Sequence, residues 1–336
     1  MKLKDKIIAY LRLCRLQATG LIATLSVIGA AVAGQKNPFL LGVVFTIGVF
    51  YHVFLYVLND YIDLEVDKKS KDLQRKPLVS GVIPKQNALL ITTSAVIIIY
   101  ILTTVFFPYV LTLLTLSFAV LLGLIYDCFG KKMPGVADFV MAGSLSATFL
   151  FGASTSGYMF TMVVYLTFLI ILFFTVYGNA VEGGLKDVDH DYLGGAKTLA
   201  TIMGVKVKNG YLFITKKFAF FSWFIEITSF ILILFLACQP EINVFNSQDY
   251  LKISVIVFLI IISFISTTRF LTLKRFDRAK MKKLFTVINS SSGALIIILL
   301  FPLLGLLQTI VFLLIPITWY IVFNIILYGK PAQPDI

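Results

Sequence analysis

Apolar residues recur in stretches of about 20, the length a helix needs to cross a bilayer, at 17–34, 39–58, 88–107, 109–126, 137–157, 159–181, 212–238, 251–268, 286–304 and 306–327. The first eight stand clearly apart. The last two are divided only by Pro302 and the run Leu303, Leu304, Gly305, so they read as two spans or as one broken span. Polar residues collect between the stretches. Short turns such as Phe107-Pro108-Tyr109 alternate with longer loops at 59–86, 127–136 and 182–210, and the function is expected on the longer ones. Backbone groups inside a bilayer must satisfy one another, and helices do so within one segment. The pattern therefore predicts an all-α, polytopic bundle of membrane helices.

Composition supports a membrane solvent. Of 336 residues, 59% are hydrophobic, and the mean hydropathy is +0.93, too apolar for one soluble core. Basic residues give the direction, since Lys and Arg favour the cytoplasmic ends of spans. Lys2, Lys4, Lys6, Arg12, Arg15, Lys68, Lys69, Lys71, Arg75, Lys76, Lys85, Lys131, Lys132, Lys186, Lys197, Lys206, Lys208, Lys216, Lys217 and the run from Arg269 to Lys283 all fall on one side of the alternation. The other side holds essentially Lys36 and Lys252. The expected location is the cytoplasmic membrane, with the long loops facing the cytoplasm. The net charge of +12 reads as this topology signal plus attraction to anionic lipid, with no nucleic-acid partner implied. Cys14, Cys128 and Cys238 lack metal or redox spacing and predict no disulfide framework. The basic start is not followed by a small-residue cleavage site and reads as no signal peptide. The tail 331–336 reads as loose.

Acidic residues are scarce, 17 in all, yet Asp60, Asp63, Glu65 and Asp67 crowd the end of the second apolar stretch, and Asp187, Asp189 and Asp191 the end of the sixth. On a helix, positions 60, 63 and 67 share one face, and so do 187 and 191. Like charges on one face repel and pay for desolvation unless a cation sits among them. Oxygen-only donors with almost no histidine point to a hard ion such as Mg2+, which binds a few carboxylates together with substrate phosphates. The bland alternative, a solvated loop balanced by lysines, fits one such cluster better than two at matching positions.

The stretch Asn59-Asp60-Tyr61-Ile62-Asp63-Leu64-Glu65-Val66-Asp67, with Lys76-Pro77-Leu78-Val79-Ser80-Gly81 after it, resembles the NDxxDxxxD and RPLxSG signatures of the UbiA superfamily of intramembrane prenyltransferases. The second cluster, followed by Gly194-Gly195-Ala196-Lys197-Thr198-Leu199-Ala200, is similar to that family's second Asp-rich motif and its KTL sequel. The resemblance covers about residues 10–300. It implies nine core transmembrane helices, ten if the last pair is divided, around a central cavity open to the cytoplasm and to lipid. Residues 1–330 would form one prenyltransferase domain with motif-bearing halves at about 10–135 and 136–300.

Carried over residue by residue, the resemblance makes Asn59, Asp63 and Asp67 ligands of one Mg2+ and Asp187 and Asp191 ligands of another, with a prenyl diphosphate bridging the two. Asp60 and Asp189 become supporting residues. Asn59, Arg75, Lys76, Lys132 and Lys197 are expected at the diphosphate, and Asp63, Asp187, Tyr126 and Lys131 in the catalytic group. The match departs from the family at Lys76, where an arginine is usual, and at the spacing from Tyr126 to Lys131 or Lys132. The implied chemistry is Mg2+-dependent ionisation of an allylic diphosphate and attack on the resulting carbocation by a lipophilic acceptor, either an aromatic or quinone precursor or a polyprenyl glyceryl phosphate.

Other polar residues carry bland readings as well. His52 reads as a packed histidine and His190 as a solvated one. Asn179 and Glu182 precede the second cluster, with Glu182 the better accessory acid, and Arg15 either meets an anionic acceptor or snorkels to headgroups. Two other classes compete. An ion-coupled transporter would place its ionisable groups near the midplane, and a CDP-alcohol phosphotransferase would need a DGxxAR run that the sequence lacks.

Overall fold

The computed structural model describes residues 3–69, 73–194, 197–244 and 250–331. The elements, in order, are α1 (Leu3–Leu13), α2 (Leu16–Val32), α3 (Pro38–Asp67), α4 (Lys85–Phe106), α5 (Val110–Phe129), a 3-10 turn (Gly130–Lys132), α6 (Ala137–Ser154) and α7 (Met162–Val176). A π-helix (Tyr177–Gly183) follows, then α8 (Gly184–Lys186), α9 (Val188–Gly194), α10 (Leu199–Ile202), β1 (Lys206–Lys208), β2 (Tyr211–Phe213), α11 (Lys216–Ala237), α12 (Tyr250–Leu271), α13 (Arg278–Leu299) and α14 (Phe301–Tyr328).

Among the described residues, nine helices are long and apolar enough to cross a membrane, and α1 with α2, bent by 43°, would make a tenth. Large apolar side chains on these helices stay exposed, such as Leu90, Val110 and Leu307, because lipid is their solvent. The chain is an integral, multi-pass membrane protein. The final apolar region resolves into two helices, α13 and α14, and the second is kinked at Gly305 (φ 72°, ψ 174°), a backbone state that favours glycine.

Local chemistry sets the helix starts. Asn37 accepts hydrogen bonds from the Phe39 and Leu40 amides with Pro38 in the first turn, and Thr215 and Asp277 cap α11 and α13 in the same way. From its cap α3 runs unbroken to Asp67, so the first acidic cluster is the last two turns of a spanning helix and not the beginning of a loop. The first span is interrupted at Arg15, a non-glycine residue in left-handed geometry (φ 46°, ψ 45°). One element lies outside the all-helical expectation: β1 and β2 form an antiparallel hairpin, turned by Asn209 and Gly210, both at positive φ, as tight hairpins require.

The chain divides into two compact units. The first comprises residues 1–128, 147–159 and 310–336, and the second 129–146 and 160–309. In the first unit, small residues let backbones meet. A Cβ on Gly29 would lie 2.1 Å from the Phe149 carbonyl oxygen, and one on Gly152 would lie 1.8 Å from that of Ser26. Such contact supplies dispersion energy where lipid removes the hydrophobic drive between helices. The second unit packs Val176, Val181, Leu185, Val188, Phe218 and Phe270 into one apolar core around the π-helix and its sequel.

Candidate active site

In the first unit, the α3 cluster is bound to basic residues from two other segments. Asp60 is buried, and one of its oxygens, Oδ1, receives both Arg15 Nη2 at 2.8 Å and Lys76 Nζ at 2.9 Å. The same Lys76 ammonium reaches Asp67 Oδ2 at 2.7 Å, so one cation clamps carboxylates two turns apart. Arg15 also lies over the Tyr56 ring at 4.9 Å, and Tyr56 stacks on the buried His52 ring at 4.1 Å. Glu65 points outward and pairs with Lys68 at 2.8 Å. Asp63 is half-buried on the face of Asp60 and Asp67. Asn59 Nδ2 donates to Asp127 Oδ1 at 3.2 Å, which brings the last turn of α5 to the start of the cluster.

The second unit builds its cluster on interrupted helix. The π-helix, a form enriched at functional sites, leads into α8, and Asp187 sits at the break before α9. Asp187 is partly exposed and pairs with its neighbour Lys186 at 2.9 Å. Asp191 follows one helical turn later, its amide bonded to the Asp187 carbonyl at 2.9 Å. Burial holds the Asp191 carboxyl above the ordinary range. The Thr198 hydroxyl opposes this, Asp187 and Asp138 add repulsion, and His190 opposes it weakly. Asp189 turns away to Arg278 Nη2 at 2.6 Å, while the same guanidinium bonds the Lys186 carbonyl at 3.3 Å.

Glu182, on the π-helix, is fully buried and accepts from Asn289 Nδ2 at 2.7 Å, and Asn179 Nδ2 donates to Asp138 at 2.9 Å. Deeper in the same unit, Tyr177 donates to Thr267 at 3.3 Å. Glu226 accepts from Ser263 at 2.9 Å and from Thr267 at 3.3 Å.

Of the remaining sequence candidates, Arg75, Lys132 and Lys197 are exposed and Tyr126 is half-buried at the end of α5. The side chain of Lys131 lies outside the described residues, as do Gly195, Ala196 and Lys71. Asp127, Asp138, Glu226, Arg278 and Asn289 were not singled out from the sequence. Glu226 carried a signal, an acid inside an apolar span, and Asp127 a weaker one beside Tyr126. Arg278 and Asn289 carried none, since their partners lie 89 and 107 residues away.

Among the described residues, no three His, Cys, Asp or Glu side chains already converge as a metal-binding group. The donor chemistry nevertheless suits a hard cation. Around Asn59 every anionic group is a carboxylate, and the buried Oδ2 of Asp127 has no hydrogen-bond partner, a deficit a cation relieves. That Lys76 already spans Asp60 and Asp67 shows how strongly this face attracts positive charge.

A family model described as the UbiA prenyltransferase family matches residues 20–239, more than half of the chain and a region containing both clusters. The chain belongs to this family. Solved UbiA relatives share the fold at low identity. A structure concerned with digeranylgeranylglyceryl phosphate synthase in membranes aligns with a TM-score of 0.67 at 18% identity, covering 90% of this chain and 100% of that one. A UbiA homolog from Archaeoglobus fulgidus bound to DMAPP and Mg2+ aligns with a TM-score of 0.61 at 17% identity, covering 86% and 99%. In sequence, the chain is 26% identical over 148 residues to digeranylgeranylglyceryl phosphate synthase of Haloquadratum walsbyi, covering 44% of this chain and 50% of that one. It is 31% identical over 155 residues to the synthase of that name from Sulfolobus acidocaldarius, covering 45% and 53%. It thus spans about half the length of these curated relatives. Within the UbiA family, both acidic clusters of this chain fall inside the matched region.

Proposed function

We propose that this protein transfers a prenyl group from an allylic diphosphate to the hydroxyl of a polyprenyl glyceryl phosphate, within the membrane and with Mg2+. The observation that carries this reading is the family match across both acidic clusters, and the curated relatives named for digeranylgeranylglyceryl phosphate synthesis favour this acceptor over an aromatic one. The allylic C–O bond breaks with its electron pair leaving on the diphosphate. The acceptor oxygen then attacks the allylic carbon, and its proton passes to the released diphosphate.

Asn59, Asp63 and Asp67 from one cluster and Asp187 and Asp191 from the other would hold Mg2+. Bound there, the ion neutralises diphosphate oxygens as charge develops on them. Lys76, Arg75, Lys132 and Lys197 are proposed to add positive charge at the diphosphate, and Tyr126 and Lys131 are proposed as catalytic residues. The apolar spans exclude water that would quench the carbocation, and aromatic faces stabilise positive charge. The clusters are proposed to face the cytoplasm, on the positive-inside pattern.

The test is turnover of radiolabelled allylic diphosphate by purified protein, with polyprenyl glyceryl phosphate or an aromatic acid as acceptor, with Mg2+ or with EDTA. Product only with the glyceryl phosphate and Mg2+ is expected. Product with the aromatic acid alone would reassign the acceptor, and no consumption of diphosphate would sink the transferase reading. Labelling of Lys69→Cys from the cytoplasmic side alone is expected for the orientation, and labelling from outside intact cells would reverse it.

A further inference from the structure

We propose that Asp127 is a positioning residue that fixes which end of the Asn59 amide faces the metal, an inference resting on the reading of Asn59 as a Mg2+ ligand. Only the oxygen of an amide binds a hard cation, yet the oxygen and nitrogen ends are nearly equal in size and exchange by a half-turn about the last side-chain bond. Unanchored, the Asn59 amide would present its nitrogen to the ion part of the time. In the structure Asn59 Nδ2 donates to Asp127 Oδ1 at 3.2 Å, and the amide oxygen is turned to the other side.

Two features make this anchor firm. Asp127 is 9% exposed, so water competes poorly for its oxygens. It also stands in the last turn of α5, 68 residues from Asn59, so the bond ties the first residue of the cluster to a different helix. The second oxygen, Oδ2, is buried without a hydrogen-bond partner, so among the described residues no other group draws the carboxyl away from Asn59. Groups that orient metal ligands in this way typically contribute a factor of about 10 to 100 in affinity or activity. Asp127 lies outside the acidic clusters read from the sequence.

The experiment measures Mn2+ affinity by electron paramagnetic resonance on the full-length protein in nanodiscs, with a non-hydrolysable prenyl thiodiphosphate present. Asp127→Leu removes the acceptor, and Mn2+ binding is expected to weaken by about 10- to 100-fold. Asp127→Asn can still offer its amide oxygen to Asn59 and is expected to stay within a few-fold of wild type. The double variant Asn59→Ala with Asp127→Leu is expected to bind no more weakly than Asn59→Ala alone, because Asp127 acts through Asn59. Where Leu prevents folding, Asp127→Ser takes its place, being polar but too short to reach the amide.

Wild-type affinity in Asp127→Leu, equal loss in Asp127→Asn and Asp127→Leu, or losses that multiply in the double variant would each overturn the proposal while leaving Asn59 a ligand. Undiminished Mn2+ binding in Asn59→Ala would overturn the ligand assignment beneath it, and the proposal with it.

Discussion

The two acidic clusters repeat a four-residue carboxylate spacing, from Asp63 to Asp67 and from Asp187 to Asp191, but they stand on different scaffolds. The first occupies the end of a continuous 30-residue helix. Its central Asp60, with 5% side-chain exposure, is clamped by Arg15 and Lys76. The second follows a π-helix and a helix of three residues, and Asp187, with 45% side-chain exposure, pairs with the adjacent Lys186. Position on a rigid helix fixes the first set in advance, and counter-charges from separate segments hold it there. The second set stands on short elements, its Asp187 paired with the adjacent Lys186 and its Asp189 drawn to Arg278 of a distant helix. Equal spacing in sequence thus yields one preassembled face and one lightly held face.

The largest effects test whether both faces are needed at all. Asp63→Ala and Asp187→Ala are each expected to reduce prenyl transfer at least about 100-fold, several kcal/mol of transition-state stabilisation, with normal insertion and elution on size exclusion. Activity above about a tenth of wild type in Asp187→Ala alone would mean that only the preassembled face binds the cation.

Stability separates the faces next. Asp60→Ala takes the carboxylate partner from Arg15 and leaves Lys76 with Asp67 alone, and should destabilise the protein by about 1–3 kcal/mol in thermal unfolding in detergent. Asp187→Ala should leave the melting temperature unchanged. Equal melting shifts in the two variants would erase the distinction.

A smaller effect concerns pH. Burial raises the Asp191 pKa in the folded protein, so the folded state binds the proton more tightly than the unfolded chain. As pH rises from the ordinary aspartate range, about 3.9, through the raised value, wild type loses stability. Asp191→Asn avoids that loss. It should melt higher than wild type at neutral pH and equal to it in acid, and the opposite trend would show that Asp191 is stabilised as an anion. Smallest of all, Glu65→Ala removes an outward pair with Lys68 and should change neither transfer nor melting, since exposed pairs contribute little. Loss of transfer in Glu65→Ala would widen the first face beyond Asn59, Asp60, Asp63 and Asp67.

Local information was enough for the spans and the motifs. Hydropathy repeats at the length of a bilayer, acidic residues at helical intervals and capping residues such as Asn37 act through neighbours within a turn or two. The Asn209-Gly210 hairpin carries an equally local signal, two turn residues between Lys206–Lys208 and Tyr211–Phe213, and among the described residues it is the one departure from the all-helical expectation. The left-handed break at Arg15 had none, and the partner of its side chain, Asp60, lies 45 residues away.

By itself the sequence determined that the chain is a bundle of membrane helices, that carboxylates gather at the ends of two spans, and that their oxygen-only chemistry suits a hard cation. These follow from composition and period, which every chain segment carries within itself. Tertiary structure alone decided that Lys76 clamps Asp60 to Asp67, that Arg278 draws Asp189 aside, that Asn289 holds Glu182, and that Asp127 meets Asn59. Each of these pairs joins residues whose separation along the chain says nothing of their separation in space. The charges can find partners only after the helices have packed and excluded the solvent that would otherwise have served them.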